Sequence, residues 1–286
     1  MKKSWKERYR EFLEWQVRPF EVAAMSEEEH DCPTCHTLYK GNFCPRCGQS
    51  ARIGRYSFTT ALLNFLDVWG IGNRSMFRTL RDLILRPGYM IRDYLSGMQM
   101  AYFPPFQMLF LLTTLSFIIL YGVNIRGITY EDLRQEALTQ VEQIGGEDPV
   151  STEAGAAAFN WIMDFTEQYP NLVSLLYIGI FSLFLFPFYR HNKVIPNMRY
   201  SEFMVATIYI ANMISLYELV MMFFCCPVTI TSIIASLTAL IPLKQLSGFS
   251  WFRTILSIVG AFLALMAAYI ILVGIVLLFL FFKPTL

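Results

Sequence analysis

Residues Thr254 to Phe282 read TILSIVGAFLALMAAYIILVGIVLLFLFF, without one charged side chain. At about 1.5 Å of rise per helical residue, such a run outlasts a hydrocarbon core of about 30 Å and predicts a membrane-crossing helix. Four further apolar runs precede it: Phe106 to Val123, Leu172 to Tyr189, Phe203 to Phe224 and Val228 to Leu243. The last of these is short and holds Thr229, Thr231, Ser232, Ser236 and Thr238, so it reads as a tilted span or a re-entrant segment. The expected fold is an all-α membrane bundle of about five spans over 105–286. Composition agrees, because only 16% of the 286 residues are charged and 55% are apolar, against about 25% charged in soluble chains. The net charge of +1 gives no general attraction to nucleic acid, and none is expected as a partner.

Loop charges orient the spans, since Lys and Arg are retained on the cytoplasmic side. Arg46, Arg52, Arg55, Arg74, Arg78, Arg81, Arg86 and Arg92 precede the first span, whereas the loop over 124–170 is dominated by Asp and Glu. The loop after the second span carries Arg190, Lys193 and Arg199, and the loop after the fourth carries Lys244 and Arg253. A cytoplasmic N-terminus and an external C-terminus satisfy every loop. Met1 to Pro19 mixes charges with aromatics and has no apolar run, so no cleavable signal peptide is expected. The acidic loop is expected to be a connector with a short helix over Thr129 to Ile144, ended by Gly145-Gly146. No repeat suggests the inverted halves of a transporter.

Six cysteines divide into four and two. Cys32-Pro-Thr-Cys35 and Cys44-Pro-Arg-Cys47 are C-x2-C knuckles within a short segment, 31–50. Each such turn converges two thiolates on one ion at about 2.3 Å, and four together suit tetrahedral zinc. Iron in a four-thiolate site is the rival metal. A closed set of four thiolates has no open position for water, so the role expected of Zn2+ is structural. The segment is too short to bury its own core, so metal binding should supply most of its folding free energy. His36 adjoins Cys35 but is not needed as a ligand. Cys225 and Cys226 read as buried apolar cysteines.

Residues 1–30 read as a charged N-terminal helix and 51–104 as cytoplasmic or interfacial amphipathic helices. Ser57 to Trp69 places Phe58, Leu62, Phe65, Leu66 and Trp69 on one face; Ser75 to Leu85 does likewise with Met76, Phe77, Leu80, Leu83 and Ile84. Arg74, Arg78 and Arg81 flank the second stripe and would meet anionic head groups, unless these helices pack on the ends of the spans. Arg86-Pro87-Gly88 breaks that helix, and Tyr89 to Ser96 makes another.

The order Cys-Pro-x-Cys, then Gly41 to Gln49 (GNFCPRCGQ), Leu85 to Gly88 (LRPG), Tyr94 to Gly97 (YLSG) and Tyr102 to Pro105 (YFPP) resembles a bacterial multi-pass membrane family. That family is known only as a domain of unknown function. The resemblance is clearest from Cys32 to about Leu120. It implies a zinc-ribbon protein of the bacterial inner membrane and no activity. Where the family often has Glu-His, this chain has Glu202-Phe203.

No H-E-x-x-H, G-x-S-x-G or phosphate-binding loop is present, so no enzyme activity is expected. Glu218 is the one charge between Phe203 and Phe224, and a carboxylate at that depth faces a bundle interior, water or a partner. Glu218 and Asn212 form the candidate intramembrane polar site. Gly260, Ala264 and Ala268 form a small-residue ridge for close helix packing. The expected function is recruitment or assembly through the zinc ribbon, with the lipid bilayer and a protein partner or second copy as partners. The alternative is a transporter or channel for a proton, cation or small solute, built on Glu218.

Overall fold

The computed structural model describes residues 4–21, 24–51, 74–119, 149–222 and 236–281, with a few isolated positions between them. The chain divides into two compact units, Met1–Arg78 and Thr79–Leu286. The first unit contains helix α1 (Trp5–Val17), strands β1 (Glu29–Asp31) and β2 (Leu38–Lys40), and the start of α2 (Arg74–Leu85). Helices α3 (Pro87–Leu95), α4 (Pro105–Phe117), α5 (Pro149–Gln168), α6 (Pro170–Tyr189), α7 (Tyr200–Met222), α8 (Leu240–Ser247) and α9 (Trp251–Phe281) follow, with a 3-10 turn at Gln99–Ala101.

Among the described residues four helices are long and apolar enough to cross a membrane: Gln99–Phe117, Pro170–Tyr189, Tyr200–Met221 and Trp251–Ile271. That is the build of a membrane protein. Of the expected span Val228 to Leu243, residues 228–232 and 235 lie outside the described residues; Ile233, Ile234 and Ser236 to Thr238 are helical, and a turn at Ala239 leads into α8. The helices expected over Ser57 to Trp69 and Thr129 to Ile144, and Cys225 and Cys226, also lie largely or wholly outside the described residues.

One helix was not expected. The second half of the acidic loop is α5, over Pro149–Gln168. Pro149 opens it, where a missing amide costs nothing, and Ala154 with Ala156 to Ala158 supplies strong helix formers. The acidic residues of this stretch say nothing against a helix.

The second unit is built around α7, which packs on α4, α6 and α3. Half of the apolar window of α7 is buried, against 17% for that of α9, so α7 is central and α9 peripheral. Phe203 is fully buried, its ring stacked on Tyr189 at 5.5 Å and tilted against Phe186 at 5.9 Å. The position beside Glu202 is thus an aromatic core site. Glu202 itself accepts the Arg199 amide at 2.8 Å and caps the start of α7.

The YFPP segment enters α4 with few backbone donors, because proline has no N–H. Three of its polar backbone atoms are met by side chains. Tyr209 donates to the Phe103 carbonyl at 2.7 Å and Asn212 to the Pro105 carbonyl at 3.0 Å, while Thr79 accepts the Phe103 amide at 2.8 Å. All three side chains are buried.

Helix α3 crosses α8 at Gly88. A Cβ there would lie 2.6 Å from the Pro242 carbonyl oxygen, so only glycine permits the approach. The Gly88 amide, unpaired at a helix start, donates to Gln245 Oε1 at 2.9 Å. On α9, Gly260 faces the Phe188 ring of α6, whereas Ala264 is exposed.

Candidate metal centre and buried polar sites

In the first unit Cys32, Cys35, Cys44 and Cys47 bring their Sγ atoms within 4.8 Å of one another. The close pairs are Cys32–Cys47 at 3.4 Å, Cys35–Cys44 at 3.6 Å and Cys35–Cys47 at 3.6 Å. Four thiolates about 2.3 Å from a central ion, tetrahedrally placed, stand about 3.8 Å apart. The four cysteines therefore stand close enough to hold a metal ion after small adjustments of their spacing.

The backbone explains the convergence, and it does so twice. In the first knuckle the Cys32 amide donates to the Thr37 carbonyl and the His36 amide to the Cys32 carbonyl; in the second, Cys44 donates to Gln49 and Gly48 to Cys44. The β1–β2 pairing of Asp31 with Leu38 recurs as the isolated bridge between Phe43 and Ser50. Residues 31–38 and 43–50 are two copies of one turn. The residue after each second cysteine is left-handed, His36 at φ 53° and Gly48 at φ 77°. His36 so fills the turn position that Gly48 fills in the other copy, a conformation histidine tolerates better than most side chains. This repeat is visible as CPTCHTL against CPRCGQS.

Electrostatics suit a cation. The hydrogen bond with Thr37 chiefly pulls the Cys35 thiol down to about 6, with help from the neighbouring thiols. For Cys47 the Gln49 backbone amide pulls downward, but the proton shared with Cys32, loss of water and the Cys35 and Cys44 thiols push it up to about 12. One thiolate forms readily and the next must form against it, a repulsion that a bound cation removes. The supporting core is small: Cys32, Tyr39 and Cys44, with Cys35 and Ala51 against them.

A second polar cluster was not anticipated. On α2 and α3, Arg86 donates to Asp93 and sits 3.9 Å from Asp82, which Arg81 meets from outside at 2.7 Å. Tyr102 donates to Asp93 at 3.1 Å. Only 3% of the Arg86 and Asp82 side chains is exposed. Burial raises the Asp93 carboxyl above its usual range, against the pull of Arg86 and Tyr102. Helix α2 thus buries Met76, Thr79, Asp82 and Leu83, while Phe77 and Ile84, expected on its apolar face, are exposed. The ion pairs of Arg86 tie Asp82 of α2 to Asp93 of α3, which makes the cluster a lock between helices.

The remaining candidate residues are dispersed. Arg78 lies over the Phe20 ring at 3.7 Å and Arg81 on Asp82, so both have partners within the chain; the Arg74 side chain lies outside the described set. Glu218 borders an apolar cavity of about 440 Å³ between α4, α6 and α7, with Ser174, Thr207, Ser215 and Ser236 also on its wall. Asn212 does not line this cavity, because it is fully buried against Pro105.

One protein-family model, described as "Protein of unknown function (DUF3667)", matches residues 74–117. No curated protein and no solved structure is significantly similar to the chain. The matched stretch begins after the four cysteines and contains the Arg86 cluster, Gly88 and the YFPP segment.

Proposed function

We propose that the chain is a five-span protein of a bacterial inner membrane, N-terminus in the cytoplasm and C-terminus outside, whose structural zinc ribbon recruits or organises a protein partner without catalysis of its own. The supporting observation is the closed set of four converging cysteines. Four thiolates exhaust tetrahedral zinc, so the ion holds a surface in shape and leaves no position for substrate. Both knuckles present side chains outward, Leu38 and Phe43 among them. Elemental analysis of the purified chain should give about one zinc per chain, lost in Cys44→Ser. Crosslinking and co-purification from native membranes should capture a specific protein that a correctly inserted Cys44→Ser, Cys47→Ser variant does not. The same proteins captured by both would sink the recruitment reading.

The cavity at Glu218 favours a second reading, passage or binding of a proton, cation or small solute. A carboxylate on an apolar wall is costly unless it meets a cation, a donor or water. Reconstituted protein would then show a flux that Glu218→Gln abolishes while the variant remains folded.

A further inference from the structure

Helix α1 sorts its side chains around the axis in a way the metal site does not use. Trp5, Tyr9, Phe12 and Gln16 follow at i, i+4, i+7 and i+11, a single ridge. Glu7, Glu11 and Glu14 follow the same spacing two residues on, which places every carboxylate of the helix on the opposite ridge. Basic groups occupy the borders, Arg8 on one side and Lys6 with Arg10 on the other. No residue of the helix is buried; Trp5 is 70% exposed and Tyr9 50%. The rings are nonetheless arranged, Trp5 stacked on Tyr9 at 5.6 Å and Phe12 on Trp15 at 5.9 Å. Glu7 accepts the Ser4 amide at 2.8 Å and fixes the helix start.

Trp15 and Gln16 are half-buried, and the exposed remainder leaves a helix this short with little packing to hold it in water. An aromatic ridge bordered by cations and backed by anions matches one surface closely, the head-group layer of an anionic bilayer. Tryptophan and tyrosine prefer that layer, the basic side chains reach lipid phosphates, and the glutamates point away into water.

We propose that α1 lies in the plane of an anionic membrane surface, with Trp5, Tyr9 and Phe12 among the head groups and Lys6, Arg8 and Arg10 on phosphates. This rests on the reading of the four apolar helices as membrane spans. Hydrogen exchange of the full chain in nanodiscs tests both. Amides of 5–17 should exchange at least about tenfold more slowly in discs containing phosphatidylglycerol than in phosphatidylcholine alone, a difference in binding free energy of about 1.4 kcal/mol. Lys6→Glu with Arg8→Glu and Arg10→Glu should erase the lipid dependence. Tyr9→Glu with Phe12→Glu should erase protection in both lipids, and since neither side chain is buried the fold should survive. Equal exchange in both lipids, or protection that appears only when two chains share a disc, overturns the proposal. Protection of α6 and α7 in the same spectra reports on the spans separately, so failure at 5–17 alone leaves the bilayer reading standing.

Discussion

The knuckle rests on a buried cluster of Cys32, Tyr39 and Cys44, whereas α7 alone buries Phe203, Ala206, Ile208, Tyr209 and Met213 along with Asn212. In the first region almost nothing opposes conformational entropy except paired turns and the convergence of four thiols. In the second, apolar burial is ample, and several of the polar atoms among it are tied by specific donors: Tyr209 to Phe103, Asn212 to Pro105, Arg86 to Asp93. Small domains borrow stability from covalent or coordinate bonds; larger ones must instead keep their buried polar groups matched. The two regions should therefore fail under different insults.

Metal withdrawal gives the largest expected effect. Binding energies of structural zinc in small peptides are of order 10 kcal/mol, so a strong chelator, or Cys44→Ser, should unfold 29–51 and leave α6 and α7 intact. Hydrogen exchange over the two regions reads this directly, and joint loss of both would break the contrast. Arg86→Ala should do the reverse. It takes the buried cation from between Asp82 and Asp93, leaving the first to Arg81 and the second to Tyr102, a loss of up to about 3–5 kcal/mol in the helical unit, seen as a lowered Tm in detergent with metal content unchanged. Gly88→Ala forces a methyl against the Pro242 carbonyl and should cost about 1–3 kcal/mol in the same assay.

The smallest effect is on pH dependence. Asp93 holds its proton more tightly when folded than when unfolded, so it favours the fold at low pH, and that contribution is lost as pH rises from the ordinary carboxylate range through the raised value. Its slope cannot exceed about 1.4 kcal/mol per pH unit. Asp93→Asn should remove this component from a stability-pH profile, and an unchanged profile would place the proton elsewhere.

The same contrast governs what could be read from the residues in order. C-x2-C twice in a short segment specifies ligands, geometry and turn chemistry locally, so the four cysteines were legible one by one. Apolar runs gave the helices Pro170–Tyr189, Tyr200–Met222 and Trp251–Phe281 to within a few residues. The helix lock was not legible, because Arg86 among many arginines carries a topological signal that masks its burial. Its trace was the spacing of Asp82, Arg86 and Asp93, four and seven residues apart beside a proline. Asn212 was read with Glu218 because both are polar in one span; only the path of YFPP separates them. Helix α5 was obscured by its acidic neighbours in sequence.

A ribosome releases α3 long before it makes α8. Gly88 then has neither the Pro242 carbonyl to rest on nor Gln245 to accept its amide. Until synthesis passes Ser247, α3 lacks the helix it crosses at Gly88, and the unfilled notch is an unfinished surface. Chains cut short ahead of Leu240 keep that unfilled notch permanently.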